Sequence, residues 1–270
     1  MTRWFPSRAR RALLVLPFLA LALPAGPPAR AASPPVAYAA LGDSYSSGLG
    51  AGGYDLLSGT CYRGAHAYPV QWAARHAPAS FRFVACAGAT AAQVVATQLG
   101  ALDGRTTLVT LSVGGNDVGF VAVVATCSVG SATACRTAVD LAEAATRSWL
   151  GTALAVTYGA VRAHAPNARL VVLGYPRIFE LGGSCGVLGM PAANRAIVDE
   201  GADVLDGVIR SRAEASGAVY VDAVPAFAGH GVCAASPWIN GAVLSVVDSF
   251  HPNAAGYTGG YLPALEAVTA

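Results

Sequence analysis

Thr107-Leu108-Val109-Thr110-Leu111-Ser112-Val113, followed at once by Gly114-Gly115-Asn116-Asp117, decides the fold class. The run mixes β-branched and aliphatic side chains with small hydroxyls, a composition suited to a strand covered on both faces. It is too short for a helix and stops at two glycines, which signal a turn. Four similar runs lie elsewhere: 36–41, 81–85, 169–173 and 218–221. Helical patterns separate them over 67–76, 91–99, 136–164 and 192–216, and another over 253–268 closes the chain. Strands alternating with helices predict an α/β protein: a single-domain, flavodoxin-like three-layer sandwich with a central parallel sheet of about five strands. No internal repeat and no biased linker divides residues 32–270. Ligands in such sheets bind beyond the carboxyl ends of the strands, so the residues just after each strand are the candidates for function.

Composition narrows the function classes. The chain has 270 residues, of which 54% are hydrophobic and only 12% charged. That excludes a disordered chain and a charge-laced nucleic-acid binder. All 17 basic residues are Arg, so a lysine nucleophile, a Schiff base and a P-loop lysine are excluded. The formal net charge of +2 comes from the N-terminus. Arg3, Arg8, Arg10 and Arg11 precede an apolar run over 12–23, and Ala29-Arg30-Ala31 supplies a cleavage pattern. Residues 1–31 therefore read as a secretory signal peptide. Their removal leaves 12 Arg against 15 acids, a net charge of −3. The electrostatic case for nucleic acid disappears with them.

Cysteine usage agrees with export. Cys61, Cys86, Cys127, Cys135, Cys185 and Cys233 are even in number, and no C-x-x-C occurs. Disulfides are expected rather than a zinc or redox motif. Six cysteines allow about 15 pairings; the sequential one is the simplest, since each bond then closes a modest loop.

Four blocks follow or flank the strands. Gly42-Asp43-Ser44-Tyr45-Ser46-Ser47-Gly48 follows the first run and puts a serine on a glycine-flanked turn. A serine hydroxyl is a weak nucleophile until a base takes its proton. Cys86-Ala87-Gly88-Ala89-Thr90 follows the second run and offers a glycine N–H without a side chain in the way. Gly114-Gly115-Asn116-Asp117 follows the third and offers a carboxamide donor suited to a developing oxyanion. Asp248-Ser249-Phe250-His251-Pro252-Asn253 precedes the last helix and pairs a base with a carboxylate three residues earlier. Taken singly, the serine block reads more often as a turn or N-cap, the glycine block as an ordinary strand-to-helix turn, the third as a turn with a helix cap at Asp117, and the last as a surface-loop histidine.

In this order, GDS, glycine, GGND and D-x-x-H resemble the SGNH hydrolases, also called the GDSL esterase/lipase family, from Gly42 to Asn253. The GDSYSSG neighbourhood, the six cysteines and Ser-Phe-His-Pro-Asn are most similar to its secreted actinobacterial lipase/esterase branch. The resemblance implies Ser44 as nucleophile, His251 as base, and an oxyanion hole from the Ser44 N–H, the Gly88 N–H and the Asn116 side chain. It implies the pairs Cys61–Cys86, Cys127–Cys135 and Cys185–Cys233. For the group that orients the histidine, Asp248 is preferred, because a carboxylate also stabilises the imidazolium. In some members of the branch a backbone carbonyl does this instead, and Ser249 would supply it.

The expected protein is a secreted, monomeric serine carboxylester hydrolase that needs neither metal nor cofactor. Its expected partners are a small-molecule or lipid ester and, transiently, a lipid surface, with no nucleic acid. Tyr54, Leu56, Leu57, Phe120, Val121, Trp238 and Ile239 are candidates for an acyl groove, with core packing as the alternative for each. No long amphipathic lid is legible, which favours short- to medium-chain acyl esters, phospholipid A1-type cleavage included. A carbohydrate O-acetyl esterase would use the same catalytic set. A secreted binding protein with a dead site would be expected to have lost one of the four blocks.

Overall fold

The computed structural model describes residues 1–4, 35–186 and 189–269. The chain divides into Met1–Pro34 and Pro35–Ala270. Residues 1–4 have no regular secondary structure, and the rest of the expected signal peptide lies outside the described residues.

The apolar runs form one parallel sheet. Its strands are β1 (Ala37–Gly42), β2 (Ser80–Phe83), β3 (Leu108–Ser112), β4 (Arg169–Leu173) and β5 (Val219–Val221), in the order β2-β1-β3-β4-β5. β3 is buried along its whole length, as its two-sided apolar composition requires. Gly42 of β1 pairs with Ser112 of β3, so the two strands end level. The chain leaves β1 towards β2 on one side and returns to β3 on the other. The carboxyl ends of β1 and β3 therefore flank a topological switch point, where an open α/β sheet has its crevice.

Helices cover both faces. α1 (Ser44–Ser47) is a single turn directly after β1. α2 (Tyr68–His76) packs against the closing helix, whose regular part is Leu262–Thr269. Gly151–His164 packs against both Ala91–Thr97 and Ala192–Ala215, and Phe120–Val129 and Ala132–Ala145 stack on the last of these. In chain order these are α3 (Ala91–Thr97), α4 (Phe120–Val129), α5 (Ala132–Ala145), α6 (Gly151–His164) and α7 (Ala192–Ala215). A one-turn α8 (Ala223–Ala226) and α9 (Leu262–Thr269) complete the set among the described residues.

Two helical expectations change. The pattern over 136–164 is two helices, α5 and α6, joined by a wide π-helical turn at Thr146–Leu150. A Cβ at Gly151 would lie 2.8 Å from Arg212 Nε, so α6 begins close against the Arg212 side chain of α7. α4 has no counterpart in the sequence reading. Its FVAVVATCSV run has no polar face, and Gly119 before it supplies no capping side chain, so neither periodicity nor a start signal was present. The cysteines pair as Cys61–Cys86, Cys127–Cys135 and Cys185–Cys233.

Candidate active site

The turn after β1 is built to expose one hydroxyl. Gly42 has φ +124°, and a Cβ there would sit 2.5 Å from the Ser112 carbonyl oxygen, so only glycine lets β1 end against β3 this way. Asp43 then caps α1, accepting from the Tyr45 N–H at 3.0 Å. Ser44 is the first helical residue. Its backbone N–H donates to no protein acceptor among the described residues, as expected at a helix start. Gly48 ends the turn in the left-handed region.

The Ser44 hydroxyl meets His251 across 207 residues: Oγ lies 2.9 Å from Nε2. His251 Nδ1 lies 3.0 Å from the Ser249 carbonyl oxygen. A carbonyl oxygen only accepts, so Nδ1 carries the proton and Nε2 turns its lone pair to the serine. Both side chains are buried. Burial pushes the imidazole down from 6.5 to about 4, against the opposing effects of the Ser249 carbonyl and the Asp248 charge. The histidine is thus held neutral and able to take a proton.

Close approach of two loops sets this distance. Gly50, at φ +93°, lies so near the histidine loop that a Cβ would be 2.7 Å from His251 Cβ and 2.6 Å from the Pro252 oxygen. Asn240 Nδ2 donates to the oxygens of Gly50 and Asp248, at 2.8 and 3.2 Å, and binds the loops together. Tyr45, next to Ser44, donates to the Phe250 oxygen at 2.8 Å, next to His251.

The other two blocks converge on the same rim. Asn116 Nδ2 donates to the Ala89 oxygen at 3.1 Å, which sets the carboxamide beside the 86–90 turn. Asp117 accepts from the Ala91 N–H through both oxygens, at 3.1 and 3.0 Å, and ties the third block to the start of α3. Gly88, at φ +80°, is exposed, and its N–H has no protein acceptor among the described residues. Ser44 and Asn116 open into one cavity with an empty volume of about 700 Å³, its open mouth included. Helices α4, α5 and α7 wall it with Phe120, Val123, Val139, Val198 and Leu205, and Ile178 adds to them. The chamber beside the serine–histidine pair is therefore walled mainly by apolar side chains.

Residues 40–258 match the GDSL-like Lipase/Acylhydrolase family. The chain belongs to that family. It is similar to a lipase of Streptomyces rimosus, 42% identical over 261 residues that make up 96% of each chain. Among solved structures it is similar to phospholipase A1 from Streptomyces albidoflavus NA297, at 46% identity and a TM-score of 0.84, over 87% of this chain and 99% of that one. The extracellular lipase of S. rimosus gives 43% identity and the same TM-score of 0.84, over 87% and 100%. As a GDSL-family member of this kind the chain is a serine ester hydrolase.

Asp248 makes no hydrogen bond to the His251 ring in this structure. In this GDSL-family member its carboxylate turns away from His251 and accepts from the Tyr54 phenol at 2.5 Å. The cause is local. Val246–Asp248 is a 3-10 turn, and the residue that follows it, Ser249, aims its carbonyl rather than its side chain at the imidazole. Asp248 keeps a long-range effect, since its charge favours the imidazolium.

The acyl-groove candidates also divide. Phe120 lines the cavity. Leu56, Leu57 and Val121 face solvent, and Ile239 is fully buried in the core. Trp238 stacks on His230 with ring centroids 3.7 Å apart, and Tyr54 is taken up by Asp248.

Sequence reasoning passed over Tyr175. Its hydroxyl donates to Asp43, which also accepts from Ser112 Oγ at 2.8 Å. Gly115 N–H donates to the same phenol at 3.3 Å. Burial raises Asp43 to about 6, while the three donors from Tyr175, Ser112 and the Tyr45 N–H pull the other way. This network holds the turn that carries Ser44. The partners are 69 and 132 residues from Asp43, and no local pattern marks them.

Proposed function

We propose that the protein cleaves acyl esters, with lipid-type short- to medium-chain esters as the substrate class, through a covalent acyl-serine at Ser44. The observation that carries this reading is the Ser44–His251–Ser249 chain of contacts at 2.9 and 3.0 Å. In the first step His251 Nε2 takes the Ser44 proton while Oγ attacks the ester carbonyl carbon. The oxyanion is received by the N–H groups of Ser44 and Gly88 and by Asn116 Nδ2, where one such donor is commonly worth about 3 kcal/mol. The imidazolium then gives its proton to the departing alcohol. Water repeats the sequence on the acyl-enzyme and releases the acid. Ser249 fixes the tautomer throughout, so the pair works as a dyad oriented by a carbonyl.

The acyl chain occupies the apolar cavity lined by Phe120, Val123 and Val198. An acetyl group would leave that chamber unfilled, which favours a lipid ester over a carbohydrate O-acetyl substrate. A dead binding protein has no reason to keep a neutral histidine 2.9 Å from a buried serine. Export through residues 1–31 is supported by their Arg-rich start and by the extracellular relative. The test is hydrolysis of p-nitrophenyl acyl esters by the mature protein. Ser44→Ala should abolish turnover and leave the circular-dichroism spectrum unchanged. Wild-type turnover in that variant would reject the assignment.

A further inference from the structure

The turn after the nucleophile and the turn before the histidine carry aliphatic side chains almost wholly in water. Leu56 and Leu57 are 92% and 94% exposed, Leu244 105% and Val246 81%. Val247 is 45% exposed. These side chains are presented by built structure. Asp55 caps the first turn through the Leu57 N–H at 2.9 Å, and the Cys61–Cys86 bond closes it. The second is a 3-10 turn braced by the Ser249 hydroxyl, which accepts from the Val243 N–H at 3.0 Å. Tyr54 and Asp248 join the two turns directly. The two turns are thus held together, and the second leads directly into His251.

The charge on these turns selects their partner. Residues 50–62 and 240–251 contain no Lys or Arg, and their acids are Asp55 and Asp248. The first carboxylate is engaged by the Leu57 N–H and the second by the Tyr54 phenol. Hydrogen bonding leaves the exposed Asp55 carboxylate charged, and the next cation along the chain, Arg63, is half-buried and donates to the Ala85 oxygen, so the turns offer an anionic surface little attraction. Five exposed aliphatic side chains on two joined turns, one of which leads into His251, match the water–acyl boundary of a neutral bilayer instead. We infer that Leu56, Leu57, Leu244, Val246 and Val247 dock the enzyme on a zwitterionic phospholipid surface and set the His251 side of the site against it. The inference rests on the proposed ester hydrolysis for its purpose, but docking itself needs no chemistry.

Co-sedimentation with phosphatidylcholine vesicles tests it, using the Ser44→Ala protein so that lipid is not consumed. The L56S/L57S and L244S/V246S changes, each in that background, should weaken partitioning about tenfold. Raising the salt concentration should leave binding unchanged, because no charge pairing is involved. In the Ser44-containing enzyme the same double changes should slow hydrolysis of vesicle lipid about tenfold. Turnover of a dissolved short-chain ester, which also reports that the variants fold, should stay within about twofold. Unchanged partitioning in both double variants would overturn the inference. So would binding that requires anionic lipid and disappears with salt, or a solution dimer that the same substitutions abolish. Failure of Ser44 chemistry alone would strike the functional reading and leave docking standing.

Discussion

Tyr54 and Asp248, 194 residues apart, share a 2.5 Å hydrogen bond, and that bond occupies the carboxylate the sequence offers to His251. Gly50 N–H donates to the same phenol oxygen at 2.8 Å, so Tyr54 clasps the nucleophile loop as well. Desolvation and the Asp248 partnership raise the phenol to about 12, which keeps it a donor at all working pH values. Asp248 is therefore a positioning residue. It braces the loop whose next carbonyl orients the histidine.

Asp248→Asn should consequently cost only a few-fold in kcat/KM on a dissolved ester. Loss of a true triad carboxylate costs about 10⁴-fold. Tyr54→Phe should have an effect of similar size, and the double variant should be little worse than either single one, because both remove the same clasp. Steady-state kinetics on p-nitrophenyl butyrate would measure this. A thousandfold loss for Asp248→Asn would restore the carboxylate as orienter.

The acid limb of activity should lie below the ordinary imidazole value. In the proposed mechanism the neutral imidazole is the active form, and burial lowers His251 from 6.5 to about 4. Falling pH must therefore go further before the base is lost. The Asp248 charge raises the histidine slightly, so Asp248→Asn should move the limb to still lower pH. A pH profile of kcat/KM for both proteins reads this shift, which a purely structural role would not produce.

How much of this was legible in the sequence depends on how local each cause is. β4 starts and ends where its apolar run does, and β1 and β3 fall within a residue of theirs, because strands buried on both faces advertise themselves by composition. Ser44, Gly88 and Asn116 follow strand ends, so topology gathers their loops, whereas His251, well beyond the last strand, is brought in by the contacts of its loop with Gly50 and Asn240. Asp248 defeats local reading for the opposite reason. Its spacing from His251 allows contact, but its real partner is a tyrosine at the other end of the chain. Tyr175 beneath Asp43 is hidden in the same way. α4 escaped because a helix apolar on every side carries no periodicity.

Narrowing the cavity should shorten the preferred acyl chain. Ala202 lines it from α7 and is only half-buried, so a larger side chain there extends into the chamber without displacing core. Ala202→Leu should lower kcat/KM for octanoyl esters about tenfold and leave acetyl esters within about twofold. A chain-length series measures the ratio. An unchanged profile would show that the acyl group lies elsewhere.

Stability should depend on pH through Asp199. Its Oδ1 accepts from the Ile178 and Phe179 N–H groups, at 2.9 and 3.2 Å, while Oδ2 is buried without a partner. Burial raises the carboxyl from 3.8 to about 7, with those two N–H groups opposing. A group raised on folding contributes stability that is complete below its ordinary value and is lost as pH rises through the folded value. Asp199→Asn keeps an oxygen for both N–H groups and removes the charge. It should raise Tm by several degrees at pH 8 and change it little at pH 4. Thermal melts at the two pH values test the sign.

The most direct test of the dyad is covalent capture of the nucleophile. The mature protein should react with a fluorophosphonate and gain one adduct, which peptide mass spectrometry finds on Ser44. His251→Ala should slow that labelling by about three orders of magnitude or more, whereas Asp248→Asn should slow it only a few-fold. An adduct on another serine, or labelling at the wild-type rate without the imidazole, would contradict the account.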